Sequence, residues 1–224
     1  MATELAIGII DSGFAPQQAG RVAITQRFWL EGGELREDDV LPDALGHGSV
    51  VLETLSRQCG PVRLCVAQVF AERWQTSPLQ IAAALHWLIE QDVALINMSL
   101  GLRNDRPVLR EACVLAQASG ILLCASSPAQ GEPVYPAAYP GVIRVTGDAR
   151  CAPGQWSWLN SPQADIGAHV NAANGVAGSS VGCAALSGII AGYLQGHPGA
   201  GREAVLQWLR EGAAFVGPER RGHA

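Results

Sequence analysis

The chain predicts an α/β fold, a mainly parallel β-sheet with helices packed on both faces, and three observations carry that expectation. Short runs of aliphatic and β-branched residues alternate with longer amphipathic stretches along nearly the whole length. The short runs are almost continuously apolar, as befits strands covered on both sides. With 224 residues, 48% of them apolar, the chain can bury a substantial core, and it reads as one domain over residues 1–224 with no linker.

The elements follow in order. Residues 5–10 form an apolar run that ends in Asp-Ser-Gly, the pattern of a buried strand delivering Asp11 at its carboxyl end. Residues 15–44 read as an irregular, charged excursion containing Glu31-Gly32-Gly33-Glu34 and Asp38-Asp39. A helix is expected over 49–55, just after Gly46-His47-Gly48, where the glycines let backbone approach the imidazole. Residues 62–69 read as a strand. The stretch 78–91 is an amphipathic helix with Leu79, Ala82, Ala83, Leu85, Leu88 and Ile89 apolar. A buried strand over 93–98, a helix over 107–119 and strands over 121–125 and 142–146 continue the alternation. Helices over 179–195 and 201–211 close it. Functional residues in such sheets gather at the carboxyl ends of the strands.

Composition excludes several chemistries. The net charge is −5, and all 15 basic residues are arginine. Without lysine there is no phosphate-loop lysine, no Schiff base and no Ser-Lys dyad. The arginines are scattered apart from Arg220-Arg221, so no nucleic-acid-binding stripe is expected. No apolar run is long enough to span a bilayer. The first residues lack a basic segment followed by a long apolar stretch, so a cytoplasmic location without a secretory signal is expected. Six cysteines lie mostly in apolar stretches and read as free thiols filling core space. No Cys-x-x-Cys or His-x-x-x-His pattern appears; neither a metal nor a cofactor is expected.

Three short segments carry the chemistry: Ile9-Ile10-Asp11-Ser12-Gly13, Gly46-His47-Gly48 and Gly178-Ser179-Ser180-Val181-Gly182. They offer an acid, a base and a nucleophile, the parts of a serine hydrolase. Ser180 opens a small, apolar helix, whose oriented N–H groups and dipole favour a developing oxyanion. Each segment alone is ordinary turn chemistry. Together, in the order Asp, His, Ser, they follow the chain order of subtilisin.

At these residues the chain resembles the subtilisin-like serine proteases, or subtilases. The three segments match that family's aspartate, histidine and Gly-Thr-Ser nucleophile motifs. Ile96-Asn97-Met98-Ser99-Leu100-Gly101 is similar to its strand beside the substrate cleft. Tyr135-Pro136-Ala137-Ala138-Tyr139-Pro140 is similar to its Tyr-Pro-Ala segment. The resemblance implies a subtilisin-like fold and an Asp11-His47-Ser180 triad that hydrolyses a peptide bond through an acyl-enzyme. It implies that Ser99, Leu100 and Gly101 pair with an extended peptide, with Ser126 and Ser127 opposite along the specificity pocket. The expected partner is a peptide or protein substrate, with no nucleic acid and no membrane span.

The chain departs from the family in one respect that bears on rate. The family has an oxyanion-hole asparagine where this chain reads Ala125-Ser126-Ser127-Pro128-Ala129-Gln130. In subtilisin itself, loss of that donor slows turnover by about 10²–10³. The backbone N–H of Ser180 remains, and Ser126, Ser127 and Gln130 are the candidates for a second donor. No inhibitory prodomain and no calcium loop are expected, and Val181-Gly182-Cys183 replaces the family's Met-Ala-Ser-Pro. This compact form is similar to peptide-maturation subtilases such as the peptidase of quinohemoprotein amine dehydrogenase biogenesis. A selective leader-trimming protease acting on a leader-bearing precursor is therefore expected. The competing expectation is a catalytically silent, subtilisin-like peptide-binding protein.

Overall fold

The computed structural model describes residues 4–172 and 175–219. The Arg220-Arg221 pair and His223 lie outside the described residues. Ten strands form one sheet: β1 (Ala6–Asp11), β2 (Val22–Glu31), β3 (Glu34–Asp38), β4 (Arg63–Gln68), β5 (Leu95–Met98), β6 (Leu122–Ser126), β7 (Ile143–Gly147), β8 (Trp156–Trp158), β9 (Ile166–Ala168) and β10 (Phe215–Val216). Their lateral order is β10-β8-β9-β7-β6-β5-β1-β4-β2-β3. All neighbours run parallel except β2 with β3 and β8 with β9. The helices are α1 (His47–Ser56), α2 (Pro78–Glu90), α3 (Pro107–Ala118), α4 (Ser179–Gly196) and α5 (Arg202–Glu211).

The two-residue period of the strands divides the core into two layers. In β1, Ile7 and Ile9 point to the layer built by α1, α4 and α5, while Ala6 and Ile10 point to the layer of α2 and α3. In β6 the same division separates Leu122 and Cys124 from Leu123 and Ala125. All six residues of β1 are buried, and no face of this strand is left for polar side chains except at its end. Each fully buried Ile or Leu contributes about 1.5–3 kcal/mol of transfer free energy, so the centre of the sheet is the stable frame to which the rest is attached.

Local sequence explains the helix boundaries. Ser77 caps α2, its hydroxyl accepting from the N–H of Gln80 while the Gln80 side chain accepts from the N–H of Ser77, with Pro78 at the first helical position. Pro107 opens α3 in the same way. α4 is apolar around nearly its whole circumference because it lies against the sheet and α1 together. Glycines permit that proximity. A Cβ on Gly188 would sit 2.2 Å from the carbonyl oxygen of Leu55 in α1, and one on Gly182 would sit 2.6 Å from that of Thr146 in β7.

Two differences from the sequence-based expectation have physical causes. The excursion over 15–44 is largely regular: a 3-10 turn at Pro16–Arg21 leads into the β2–β3 hairpin. Its Gly32-Gly33 turn, with both residues at positive φ, is the tight connection such a hairpin needs. Charged side chains concealed it, because this edge of the sheet faces solvent. The strands β8, β9 and β10 also went unrecognised, being two or three residues long. Trp156 and Trp158 lie on β8, beyond β7 and β9. Trp156 packs on Trp208 of α5 and donates its indole N–H to the carbonyl of Leu209.

The cysteines behave as expected of core fillers. All six are free thiols, and burial pushes Cys113 and Cys124 up to about 12 and Cys151 up to about 11, so they stay protonated. Cys183 is fully buried against the sheet, where the same desolvation holds its thiol neutral.

Gly188→Ala tests the contact between α1 and α4. Alanine is the better helix former by about 1 kcal/mol, but overpacking against the Leu55 carbonyl costs about 1–3 kcal/mol. The expected outcome is a lower urea midpoint with an unchanged slope; a raised midpoint contradicts the packing.

Candidate active site

The sheet order reverses around β1. The chain leaves β1 toward β2, β3 and β4 on one side and then crosses to β5 on the other, which opens a crevice at the carboxyl ends of these strands. β1 ends in Asp11, fully buried. Its Oδ1 accepts from the backbone N–H of Ser12 at 2.8 Å and pairs with Nδ1 of His47 at 2.7 Å. Nδ1 is thus the protonated nitrogen of the neutral ring, and Nε2 is left as the acceptor. Oδ2 of Asp11 is buried with no hydrogen-bond partner.

His47 is the first residue of α1, and two glycines bring it there. Gly46 caps the helix in the left-handed conformation, at φ 71°. A Cβ on Gly48 would lie 2.2 Å from the carbonyl oxygen of Gly13, itself at φ 102°. No other residue type permits this approach of the aspartate loop to the histidine helix.

Asp43, a residue that sequence reasoning passed over, ties the two loops together. Its Oδ1 accepts from the Ser12 hydroxyl at 2.8 Å and the Gly46 N–H at 2.9 Å; its Oδ2 accepts from the Ser49 N–H at 2.8 Å and the Ser49 hydroxyl at 2.5 Å. The Ser12 oxygen in turn accepts from the Gly48 N–H at 2.9 Å. Asp43 is a carboxylate at the N-terminus of α1, where orphan N–H groups and the helix dipole favour it. An aspartate three residues before a glycine-initiated helix was the signal that would have found it.

These charges act on the imidazole. Burial works against the protonated ring, but the hydrogen bond and charge of Asp11 and the charge of Asp43 outweigh it, and the His47 pKa lies above its ordinary value. Its contribution to stability is therefore fully present below the unfolded-state value of about 6.5 and is lost as pH rises through the folded-state pKa.

Ser180 stands in the first turn of α4 after Gly178, which is at φ 144°. Its hydroxyl donates to the carbonyl oxygen of Ser99 at 3.1 Å, and the hydroxyl of Ser99 donates to the carbonyl oxygen of Ser180 at 3.0 Å. Asn97 donates to the Ser99 hydroxyl at 3.0 Å and accepts from the Ser187 hydroxyl at 3.0 Å. Asn97 is fully buried and bonds side chains of β5 and α4 rather than backbone groups at the sheet end. Because Ile10 of β1 pairs with Met98 of β5, Asp11 and Ser99 are lateral neighbours. The sheet thus brings the Asp11-His47 pair and the Ser99-Ser180 pair to one end of two adjacent strands. Among the described residues no hydrogen bond joins His47 to Ser180.

The remaining candidates divide by what they already bond. Ser127 donates its N–H to Val145 at 2.8 Å and its hydroxyl to the carbonyl of Gln163 at 2.6 Å. Ser126 is buried, and its hydroxyl makes a longer bond of 3.4 Å to the Leu100 carbonyl. Gln130 is exposed. Leu100 is buried and Gly101 exposed, and Leu102 forms a two-bond antiparallel bridge with Tyr135. A cavity of about 280 Å³ opens beside Ser127, lined by Gly131, Val134 and Ala138 among others. A larger one, about 660 Å³, lies along α1 next to His47, between Gly46, Ser49 and Val50 on one side and His169 and Asn171 on the other.

Comparison with known proteins finds similarity in sequence and in fold. No family model matches the chain. It is 35% identical over 140 residues to the subtilisin-like protease het-Q2 of Podospora anserina, covering 58% of this chain and 36% of that protein. It is 29% identical over 154 residues to subtilisin DY of Bacillus licheniformis, covering 62% of this chain and 54% of that protein. The chain thus spans about a third to a half of these relatives' lengths. Among solved structures, S41 psychrophilic protease aligns with a TM-score of 0.71 at 18% identity, covering 93% of this chain and 82% of that one; sphericase aligns at 0.69 and 18%, covering 94% and 85%. In sequence the chain is similar to subtilisin-like proteases, and its fold is subtilisin-like.

The Asp11-His47 hydrogen bond predicts a titration. By NMR, His47 should titrate above about 6.5 in the wild type. In Asp11→Asn the desolvation remains while the adjacent charge is gone, so the value should drop below that of the wild type. An unchanged pKa contradicts the pairing.

Proposed function

We propose that the chain is a serine endopeptidase in which Asp11, His47 and Ser180 act as acid, base and nucleophile. The observation that carries this reading is the 2.7 Å bond between Asp11 and Nδ1 of His47, at the same sheet end as Ser180. Asp11 sets the tautomer that leaves Nε2 free to take a proton, and it stabilises the imidazolium that results. Rotation about χ1 of Ser180 moves its hydroxyl from the Ser99 carbonyl toward Nε2; uncomplexed enzymes often hold such contacts open until substrate arrives. Attack on the peptide carbonyl gives an acyl-enzyme, His47 protonates the leaving amine, and water attacks in the second half.

Substrate is held as an extended strand along residues 99–101, an arrangement that draws affinity from main-chain hydrogen bonds. Gly101, exposed and without a side chain, leaves that edge open. The oxyanion is stabilised by the Ser180 N–H, with Ser126 a better second donor than Ser127 because its 3.4 Å bond to Leu100 is longer than the 2.6 Å bond of Ser127 to Gln163. Ser127 is fully engaged and contributes structure instead.

A site so furnished is slow. That supports a selective maturation protease that trims a leader from a precursor peptide or protein, acting in the cytoplasm, over a degradative enzyme. Among the described residues no helix is long and apolar enough to cross a membrane. A second reading, a silent peptide-binding protein, draws support from the Ser180 hydroxyl being bonded to Ser99.

A fluorophosphonate probe separates these readings. Stoichiometric labelling of the wild type and none of Ser180→Ala is expected; a wild type that resists the probe favours the silent reading. Asp11→Asn should lower hydrolysis about 10⁴-fold near neutral pH while circular dichroism stays unchanged, and undiminished turnover removes Asp11 from its role. Incubation with lysate of the source cell, followed by mass spectrometry of new N-termini, should reveal cleavage of one or a few proteins; many unrelated cuts contradict selectivity.

A further inference from the structure

Trp74 stands on the segment between β4 and α2, with 63% of its surface exposed. It belongs to neither layer of the core. Its ring meets the His47 imidazole edge to face, with centroids 5.2 Å apart and planes at 83°. On another side it leans on Phe70, at 5.9 Å and 61°. An exposed tryptophan is unremarkable by itself. One that spends its contact on the histidine beside Asp11 has a consequence for charge.

We propose that Trp74 is a positioning residue for His47: the indole caps the imidazole, favours the imidazolium formed during acyl transfer and keeps water from that side of the ring. The inference rests on His47 being the general base. An aromatic ring carries negative charge on its faces and positive charge at its edge, so a perpendicular contact attracts the imidazolium where the imidazole edge meets the indole face. The charged groups bearing on His47 are Asp11 from β1 and Asp43 from the segment before α1. Among the described residues, α4 and the end of β5 bring the neutral hydroxyls of Ser180 and Ser99, bonded to each other's backbone, to this end of the sheet. Glu72 and Arg73 precede Trp74 on its own segment and line the neighbouring cavity of about 590 Å³. Trp74 brings an uncharged ring against the imidazole. Cation–π attraction at an exposed site corresponds to about half a pKa unit, or about a two- to five-fold change in rate.

The test uses the intact protein, Trp74→Ala and Trp74→Phe, each confirmed as folded by circular dichroism. Without substrate, wild-type indole emission should fall as pH drops through the His47 titration, because a protonated imidazole in contact quenches indole; both variants should lack that step. The His47 pKa, read by NMR, should fall by about half a unit in Trp74→Ala and less in Trp74→Phe. With a cleaved peptide, the acid limb of kcat/KM should move down by the same amount in Trp74→Ala, and the plateau kcat should drop about two- to five-fold with KM little changed. Phenylalanine should restore most of the loss. An unmoved His47 pKa with no quenching step overturns the proposal whatever the peptidase assay shows. A shifted pKa in a protein whose wild type cleaves nothing and resists fluorophosphonate overturns the protease reading and, with it, this role for Trp74.

Discussion

One hydrogen bond, from Nδ1 of His47 to Oδ1 of Asp11 at 2.7 Å, sets the terms for the rest of the molecule. It requires a carboxylate to stay in a place with no solvent, with its Oδ1 hydrogen-bonded and its Oδ2 left without a partner. The Ser12 N–H bonds Oδ1 directly, and Asp43 holds Ser12, Gly46 and Ser49 in one frame. Breaking this pair by removing one partner leaves a buried group uncompensated, at a cost of about 3–5 kcal/mol when the survivor is charged. Backbone proximity makes the bond possible at all. Gly48 approaches Gly13 so closely that a Cβ on Gly48 would lie 2.2 Å from the Gly13 carbonyl oxygen.

Ser180, the proposed nucleophile, is held by a separate set of contacts. Ser187, Asn97, Ser99 and Ser180 form a chain of hydrogen bonds between α4 and β5, with no charge in it. The Asp11-His47 pair belongs to β1 and α1, while Ser180 belongs to α4 and is bonded to Ser99 at the end of β5. What joins the halves is the parallel pairing of β1 with β5 and the packing of α1 on α4 through Gly188. Ser126 and Ser127 belong to neither frame, their hydroxyls bonding the carbonyls of Leu100 and Gln163.

The central strands, the five helices and the three motif segments were legible from the amino-acid sequence because each combines an apolar period with a glycine or a cap. Ser77-Pro78 announces α2, and Gly46 and Gly178 announce the starts of α1 and α4. The β2–β3 hairpin was concealed because an edge strand with exposed Glu34, Glu37 and Asp38 lacks the apolar run that marks a buried one. Asp43 was legible in principle, as a cap. Trp74 was not: it lies 27 residues after His47 in a loop of no periodicity, and only the return of the chain through β4 brings it over the imidazole. Nor does sequence say which hydroxyls are already spent. The engagement of Ser127 with Gln163 depends on how two loops pack.

The account stands or falls on whether the two halves meet in reaction. The most direct measurement is a crystal structure of the phosphonylated protein. It predicts phosphorus on Oγ of Ser180, that oxygen released from the Ser99 carbonyl and within about 3 Å of Nε2 of His47 while Nδ1 keeps its bond to Asp11. An adduct on another residue, or Ser180 modified with the imidazole out of reach, would contradict it.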